Sequence, residues 1–167
     1  MNDRVTSVSN KIISEIAAKL FECDDIMKFL YYTDKKYENQ SIFDEPKVSP
    51  AKIINKYIFI NRRIPTPLTN TGAFMAIRFY DYGGKSVGKN IKKMLIDIDI
   101  IVHEDCMVTI HGTRDTFLID AVQNALDCSL PSSVGKCEVK RTYDILGLNV
   151  KYSGFTVRIE VDAFNKK

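Results

Sequence analysis

Four acidic residues lie in two short segments that alternate apolar and charged side chains. Asp97 and Asp99 belong to residues 95–102 (LIDIDIIV), and Glu160 and Asp162 to residues 155–163 (FTVRIEVDA). In an extended strand successive side chains point to opposite faces, so each segment carries one apolar and one acidic face. Carboxylates paired on neighbouring strands form the oxygen-rich ligand set that magnesium prefers, and two such ions can clamp a phosphodiester. A magnesium-dependent nuclease or phosphoryl-transfer enzyme would use these four residues, with Lys140 or Lys151 nearby. The competing chemistry is simpler. Arg158 stands among the acids, and mixed charge on one strand face is what cross-strand ion pairing in a half-solvated antiparallel sheet produces. No further catalytic signature accompanies the segments, so a polar sheet face is the expectation.

Residues 83–90 (GGKSVGKN) come close to the phosphate-binding pattern GxxxxGK[ST]. Asn90 stands where a magnesium-ligating hydroxyl is required. The next segment, residues 94–98, reads as a strand rather than as the helix whose N-terminus would meet the phosphates. A long hairpin loop is expected instead, whose Lys85 and Lys89 would face passing DNA if copies were arranged in a ring. His103 and His111 flank an acidic stretch with Cys106, but no second pair of soft ligands accompanies them, so each is expected as a surface or capping residue. Cys23, Cys106, Cys128 and Cys137 show no CxxC spacing, which speaks against structural zinc and for a reducing compartment. No catalytic residue, metal or cofactor is expected.

The elements that must position these side chains follow from periodicity. Over residues 3–32 the apolar positions Val5, Val8, Ile12, Ile16, Leu20, Met27 and Leu30 form one helical stripe, broken near Cys23, with Asp24 capping a short second helix. A polar loop (33–49) and a helical turn after Pro50 precede an extended arm at 58–67. That arm contains Arg62, Arg63, Ile64, Pro65 and Pro67, and its prolines remove ladder donors and favour a polyproline-like course. Strands are expected at 73–82 and 91–104, and a helix from Arg114, with Thr113 as N-cap and Asp115 in its first turn. Strands at 136–146 and 150–164 close the chain as a hairpin around Gly147, Leu148 and Asn149. The fold class is therefore α+β: a mostly antiparallel sheet (strand-strand-helix-strand-strand) packed with an N-terminal amphipathic helix and a second helix. It is expected as a single domain over 1–167, made of a helical segment (3–32), loop and arm (33–70) and a sheet-helix core (71–164).

Composition sets the outer bounds. The chain has 167 residues, 45 % hydrophobic and 27 % charged, which is ordinary for a globular domain with a core of its own. No apolar run reaches the roughly 20 residues that span a bilayer. The first residues, MNDRVTSVSNK, lack a signal peptide's basic start and apolar core, so no membrane partner and a cytoplasmic setting are expected. A formal charge of +3 is too small to indicate nucleic-acid binding by itself. Copies arranged in a ring would repeat the basic loop as a positive belt around a passing duplex, without sequence specificity.

The order of elements resembles the small neck and tail-completion proteins of tailed bacteriophages, above all the tail terminators. The resemblance covers roughly residues 50–167 and is carried by the proline-containing arm, the strands joined by the glycine-rich loop, the helix, and the closing stretch 146–162 (LGLNVKYSGFTVRIEVD). It implies a structural virion protein that is not an enzyme. Such a protein forms a homo-oligomeric ring, commonly hexameric, at the top of the tail, and joins the tail-tube protein to the head connector. In that setting the arm (Arg62, Arg63, Ile64, Pro65, Pro67) would dock on an adjacent subunit, and part of the Asp97, Asp99, Arg158, Glu160 and Asp162 face would meet a neighbour's basic residues. A head-closure or connector-adaptor role fits the same residues, as does a small adaptor that binds another protein through its arm.

Overall fold

The strict alternation of residues 95–102 does form a strand, and it lies at the centre of the sheet. The computed structural model of the chain describes residues 8–60, 64, 70–81, 85–87, 90–146 and 148–164. Its helices are α1 (Val8–Glu22), α2 (Asp24–Tyr31), α3 (Pro50–Ile53) and α4 (Arg114–Leu126). Its strands are β1 (Ile58–Ile60), β2 (Ala73–Phe79), β3 (Lys85–Val87), β4 (Ile91–His103), β5 (Val108–Thr109), β6 (Gly112–Thr113), β7 (Glu138–Asp144) and β8 (Tyr152–Phe164). The main sheet runs β1-β2-β4-β8-β7, with β3 paired to the start of β4; β5 and β6 form a separate small hairpin. All pairings are antiparallel except β1 with β2. The fold is thus α+β with a mostly antiparallel sheet, as the periodicity predicts.

The helices lie on one face of the sheet. On that inner face Met75, Ile77, Ile96, Ile98, Ile100, Val157, Ile159 and Val161 meet Ile12, Ile16 and Leu20 of α1, Ile26 and Leu30 of α2, and Leu118, Val122 and Leu126 of α4. Each fully buried aliphatic side chain contributes roughly 1.5–3 kcal/mol. The break between α1 and α2 falls at Cys23, whose extended backbone (φ −85°, ψ 99°) makes it the N-cap. Asp24 and Asp25 therefore sit in the first turn of α2, where the helix dipole favours negative charge, and Asp24 is not the cap itself.

Two further expectations change. Residues 33–49 are more than a surface loop: two 3-10 turns bury Tyr37 and Ile42 under the helices, and Tyr37 is held by its hydroxyl donating to Glu45 at 2.8 Å. Residues 58–60, expected as the start of the extended arm, form a strand instead. Asn55, in a left-handed conformation (φ 62°), turns the chain so that residues 58–60 add as a parallel edge strand to β2. That pairing supplies β2's outer edge with partners it would otherwise lack.

One buried cation ties the helical layer together. Arg114, 1 % exposed at the start of α4, donates from Nε to the Cys106 carbonyl at 2.7 Å and from Nη1 to the Phe29 carbonyl. Phe29 lies in the last turn of α2, among the carbonyls that a helix leaves without intrahelical donors. Arg114 thus caps one helix from the first residue of another.

Candidate functional site

The register of β4 and β8 decides where the four acids go. Asp97 stands opposite Arg158, Asp99 opposite Thr156, Leu95 opposite Glu160 and Lys93 opposite Asp162. All four carboxylates therefore share the outer face of the sheet, away from the helices. They do not form one cluster. Asp97 and Asp99 sit in a buried network, while Glu160 and Asp162 lie further along in a partly exposed one.

Asp97 is fully buried on a face that, among the described residues, carries no helix. Its cover comes from arginines and tyrosines. Arg158 grips it in a two-pronged contact, Nε to Oδ1 at 2.7 Å and Nη2 to Oδ2 at 2.9 Å. Oδ2 also meets Arg78 Nη2 at 3.1 Å and accepts from the Tyr143 hydroxyl at 3.3 Å. Arg78 in turn grips Asp99, with Nε to Oδ2 at 2.6 Å and Nη2 to Oδ1 at 3.2 Å, and Thr156 Oγ1 donates to Oδ1 at 2.7 Å. Tyr80 lies over the Arg158 guanidinium, 3.4 Å from ring centroid to Cζ. Hydrogen bonding to Asp97 holds the Arg158 guanidinium above its ordinary range, and Asp99 does the same for Arg78. Burial, with Asp97 second, pushes the Tyr143 phenol up.

Two carboxylates and two guanidiniums cancel in charge, and bidentate pairs of this kind are the strong form of ion pair. Every Asp97 and Asp99 oxygen already accepts from a cationic or hydroxyl donor. A divalent cation would have to displace arginine to reach them. Among the described residues, no group of three or more His, Cys, Asp or Glu side chains is placed to hold a metal ion.

The second network is salt-bridged and wetter. Lys93 Nζ lies 2.7 Å from Glu160 and 3.7 Å from Asp162, and Lys140 Nζ lies 3.1 Å from Glu160 and 2.7 Å from Glu138. The hydrogen bond from Lys93, reinforced by Lys140, holds the Glu160 carboxyl below its usual range. Lys151, the other lysine considered beside the acids, is at the β7–β8 turn, where its carbonyl accepts from Glu104 N at 2.7 Å.

Toward the other end of the same face the ions give way to a small apolar cluster: Phe59, Ile64, Phe74, Ala76 and Ile101, flanked by Ile145, Leu148 and Tyr152. Ile64 is 7 % exposed here. At that residue the arm packs on its own sheet and is not free for a neighbour. Arg62, Arg63, Pro65, Pro67 and Lys89 lie outside the described residues. Lys85 is exposed on β3.

The histidines take different roles. His103 is buried, and its Nδ1 accepts from the Asp105 N–H at 3.1 Å, capping the 3-10 turn that ends β4. His111 is exposed, with Nε2 3.1 Å from Ser41 Oγ and its ring against Phe43.

Sequence reasoning placed Arg158 among the acids but missed Arg78, Tyr80, Tyr143 and Thr156. A signal for Arg78 was present, since it is the lone charge in the otherwise apolar β2 segment AFMAIRF. Nothing local points to the two tyrosines.

No curated protein matches the sequence. Among solved structures, the chain is similar to one from a particle described as the virion of native gene transfer agent (GTA), with a TM-score of 0.51 and 11 % identity over 95 % of this chain and 98 % of that chain. At that identity the likeness is one of fold. The family model described as YomW matches residues 24–161, from the first residue of α2 to near the end of β8, and the chain belongs to the YomW family.

Proposed function

We propose that this protein is a structural component of a tailed-phage-type virion: a tail terminator or closely related neck protein that forms a homo-oligomeric ring at the top of the tail and joins it to the head connector. The observation that carries this reading is the end-to-end likeness to a chain of a gene transfer agent virion, covering 95 % of this chain and 98 % of that one. The YomW family name, a phage-associated one, points the same way. The partners under this reading are further copies of the chain, the tail-tube protein and the connector proteins, with genomic DNA passing through the ring unread.

The alternative is metal-dependent phosphodiester cleavage by Asp97, Asp99, Glu160 and Asp162. It draws support from their common face but has to contend with arginine saturation of the first two. We therefore assign the Asp97 and Asp99 network a structural role, holding β2, β4, β7 and β8 in register.

Size-exclusion chromatography with light scattering, followed by negative-stain imaging, tests the ring, and co-sedimentation with tail tubes tests its place. A protein that stays monomeric at high concentration and binds neither tubes nor connectors refutes the reading. Plasmid nicking with magnesium or manganese, abolished by Asp99→Ala, would favour the alternative.

A further inference from the structure

Between α4 and β7 the chain closes a loop on itself, with a cysteine at each end. The Cys137 N–H donates to the Cys128 carbonyl at 2.9 Å, and beside that bond Ser129 and Lys136 form an antiparallel bridge. Cys128 and Cys137 therefore stand directly opposite each other in a hydrogen-bonded antiparallel pair. The Cα atoms of such a pair lie about 5.5 Å apart with both side chains on one face, and disulfides are commonest at Cα separations of about 5.5–6 Å. Both side chains pack on the same core, Cys137 within it and Cys128 at its margin. Both are free thiols. The loop between them is pinned on two sides: the Ser132 N–H donates to the Glu15 carboxylate of α1 at 3.0 Å, and the Val134 N–H donates to the Asp162 carbonyl of β8. Inside the loop, Ser133 Oγ accepts from the Leu130 N–H at 2.8 Å and donates to the Gly135 carbonyl at 2.8 Å.

The two thiols differ in reach. Cys128 is half-buried and lines, with Lys19 and Cys23, a groove of about 670 Å³ between α1 and α4 that is open to a small molecule. Cys137 is 6 % exposed, and burial pushes its thiol up to about 11. An oxidant in solution therefore meets Cys128 first, with Cys137 waiting behind it. That order, an accessible attacking thiol backed by a sheltered resolving one, is what disulfide formation through a mixed disulfide requires.

We propose that Cys128 and Cys137 form a reversible redox staple, open as two thiols in a reducing medium and closed as a disulfide once the protein meets an oxidising one. With oxidised glutathione as the small disulfide, the Cys128 thiolate attacks one glutathione sulfur, forms a mixed disulfide and releases one reduced glutathione. Cys137 then gives up its proton and attacks the Cys128 sulfur, expelling the second. Two protein thiols lose two electrons in all, and one glutathione disulfide becomes two thiols. The new bond ties the end of α4 to the start of β7. This chemistry needs only the chain and the oxidant, and it stands or falls apart from the virion reading. The native, reduced protein is incubated with oxidised glutathione, quenched in acid and mapped as peptides without reduction. The expected product joins the Cys128 and Cys137 peptides, and its Tm is about 5–10 °C higher, the effect of closing a loop of about ten residues in a domain of this size. Dithiothreitol reverses both changes. In Cys137→Ala the reaction stops with glutathione on Cys128, and in Cys128→Ala Cys137 stays a thiol. Four outcomes for the wild type overturn the staple: two unchanged thiols, glutathione retained on Cys128 beside a free Cys137, a link from Cys128 to Cys23 across the groove, or a closed form no more stable than the open one.

Discussion

The buried pair of Asp97 and Arg158 allows a quantitative test of what the outer-face network does. Asp97→Ala removes the partner of a guanidinium that is itself only 6 % exposed, and leaves Arg158 held by the Tyr143 hydroxyl and the Tyr80 ring. Stripping one partner from a buried ion pair costs about 3–5 kcal/mol, because the surviving charge has nowhere to be solvated. For a chain of this length that amounts to roughly 6–20 °C in Tm. Asp99→Ala should cost less, about 1.5–3 kcal/mol, since its partner Arg78 has a 23 % exposed side chain that water can reach. Asp97→Ala/Arg158→Met, which removes both charges, should be less destabilised than the sum of the single variants by up to about 3 kcal/mol. Urea unfolding followed by circular dichroism measures the wild type, Asp97→Ala, Asp99→Ala, Arg158→Met and the double variant, with an unchanged m value certifying that the same transition is compared. A loss under about 1 kcal/mol for Asp97→Ala, or single-variant losses that simply add, would refute a network that holds the strands together.

The geometry also sets three other outcomes. Arg114→Met, which keeps the volume but strands the Phe29 and Cys106 carbonyls, should lower stability by about 2–4 kcal/mol, and hydrogen exchange should quicken first at the C-terminal end of α2. Glu160 has a depressed folded-state pKa, so the unfolded chain binds the extra proton as pH falls, and the stability Glu160 contributes is present above the ordinary value of 4.5 and lost on going below it. Glu160→Gln should therefore flatten the acid limb of a stability-against-pH curve measured between pH 6 and pH 3, by no more than about 1 kcal/mol, because its lysine partners are exposed. Burial pushes the Cys137 thiol to about 11 and raises Cys106 as well. Alkylation of the native protein at pH 8, read by mass spectrometry, should label Cys23 and Cys128 first, with Cys106 and Cys137 reacting only after denaturation.

The element order was legible in the residues because helix and strand periods are local. The run Ile96-Asp97-Ile98-Asp99-Ile100 alternates with period two, and no tertiary information is needed to know that its isoleucines and aspartates face opposite ways. The stripe Ile12, Ile16 and Leu20 announces α1 by the same logic. Both periodicities recur in the fold, down to the interruption at Cys23. The partners of the aspartates are another matter. Arg78, Tyr143 and Arg158 stand 21, 46 and 61 positions from the carboxylates they meet, and only strand register brings them together. The order of residues was thus enough to say which side chains leave the core. It took the packed sheet to seal two acids on the face opposite α1, α2 and α4 with arginine and tyrosine rather than leave them solvated. The same holds for residues 58–60, whose strand exists because pairing with β2 is a property of two segments and is written in neither alone. Side-chain direction comes from one residue's neighbours in the chain; burial, pairing and charge compensation come from neighbours in space.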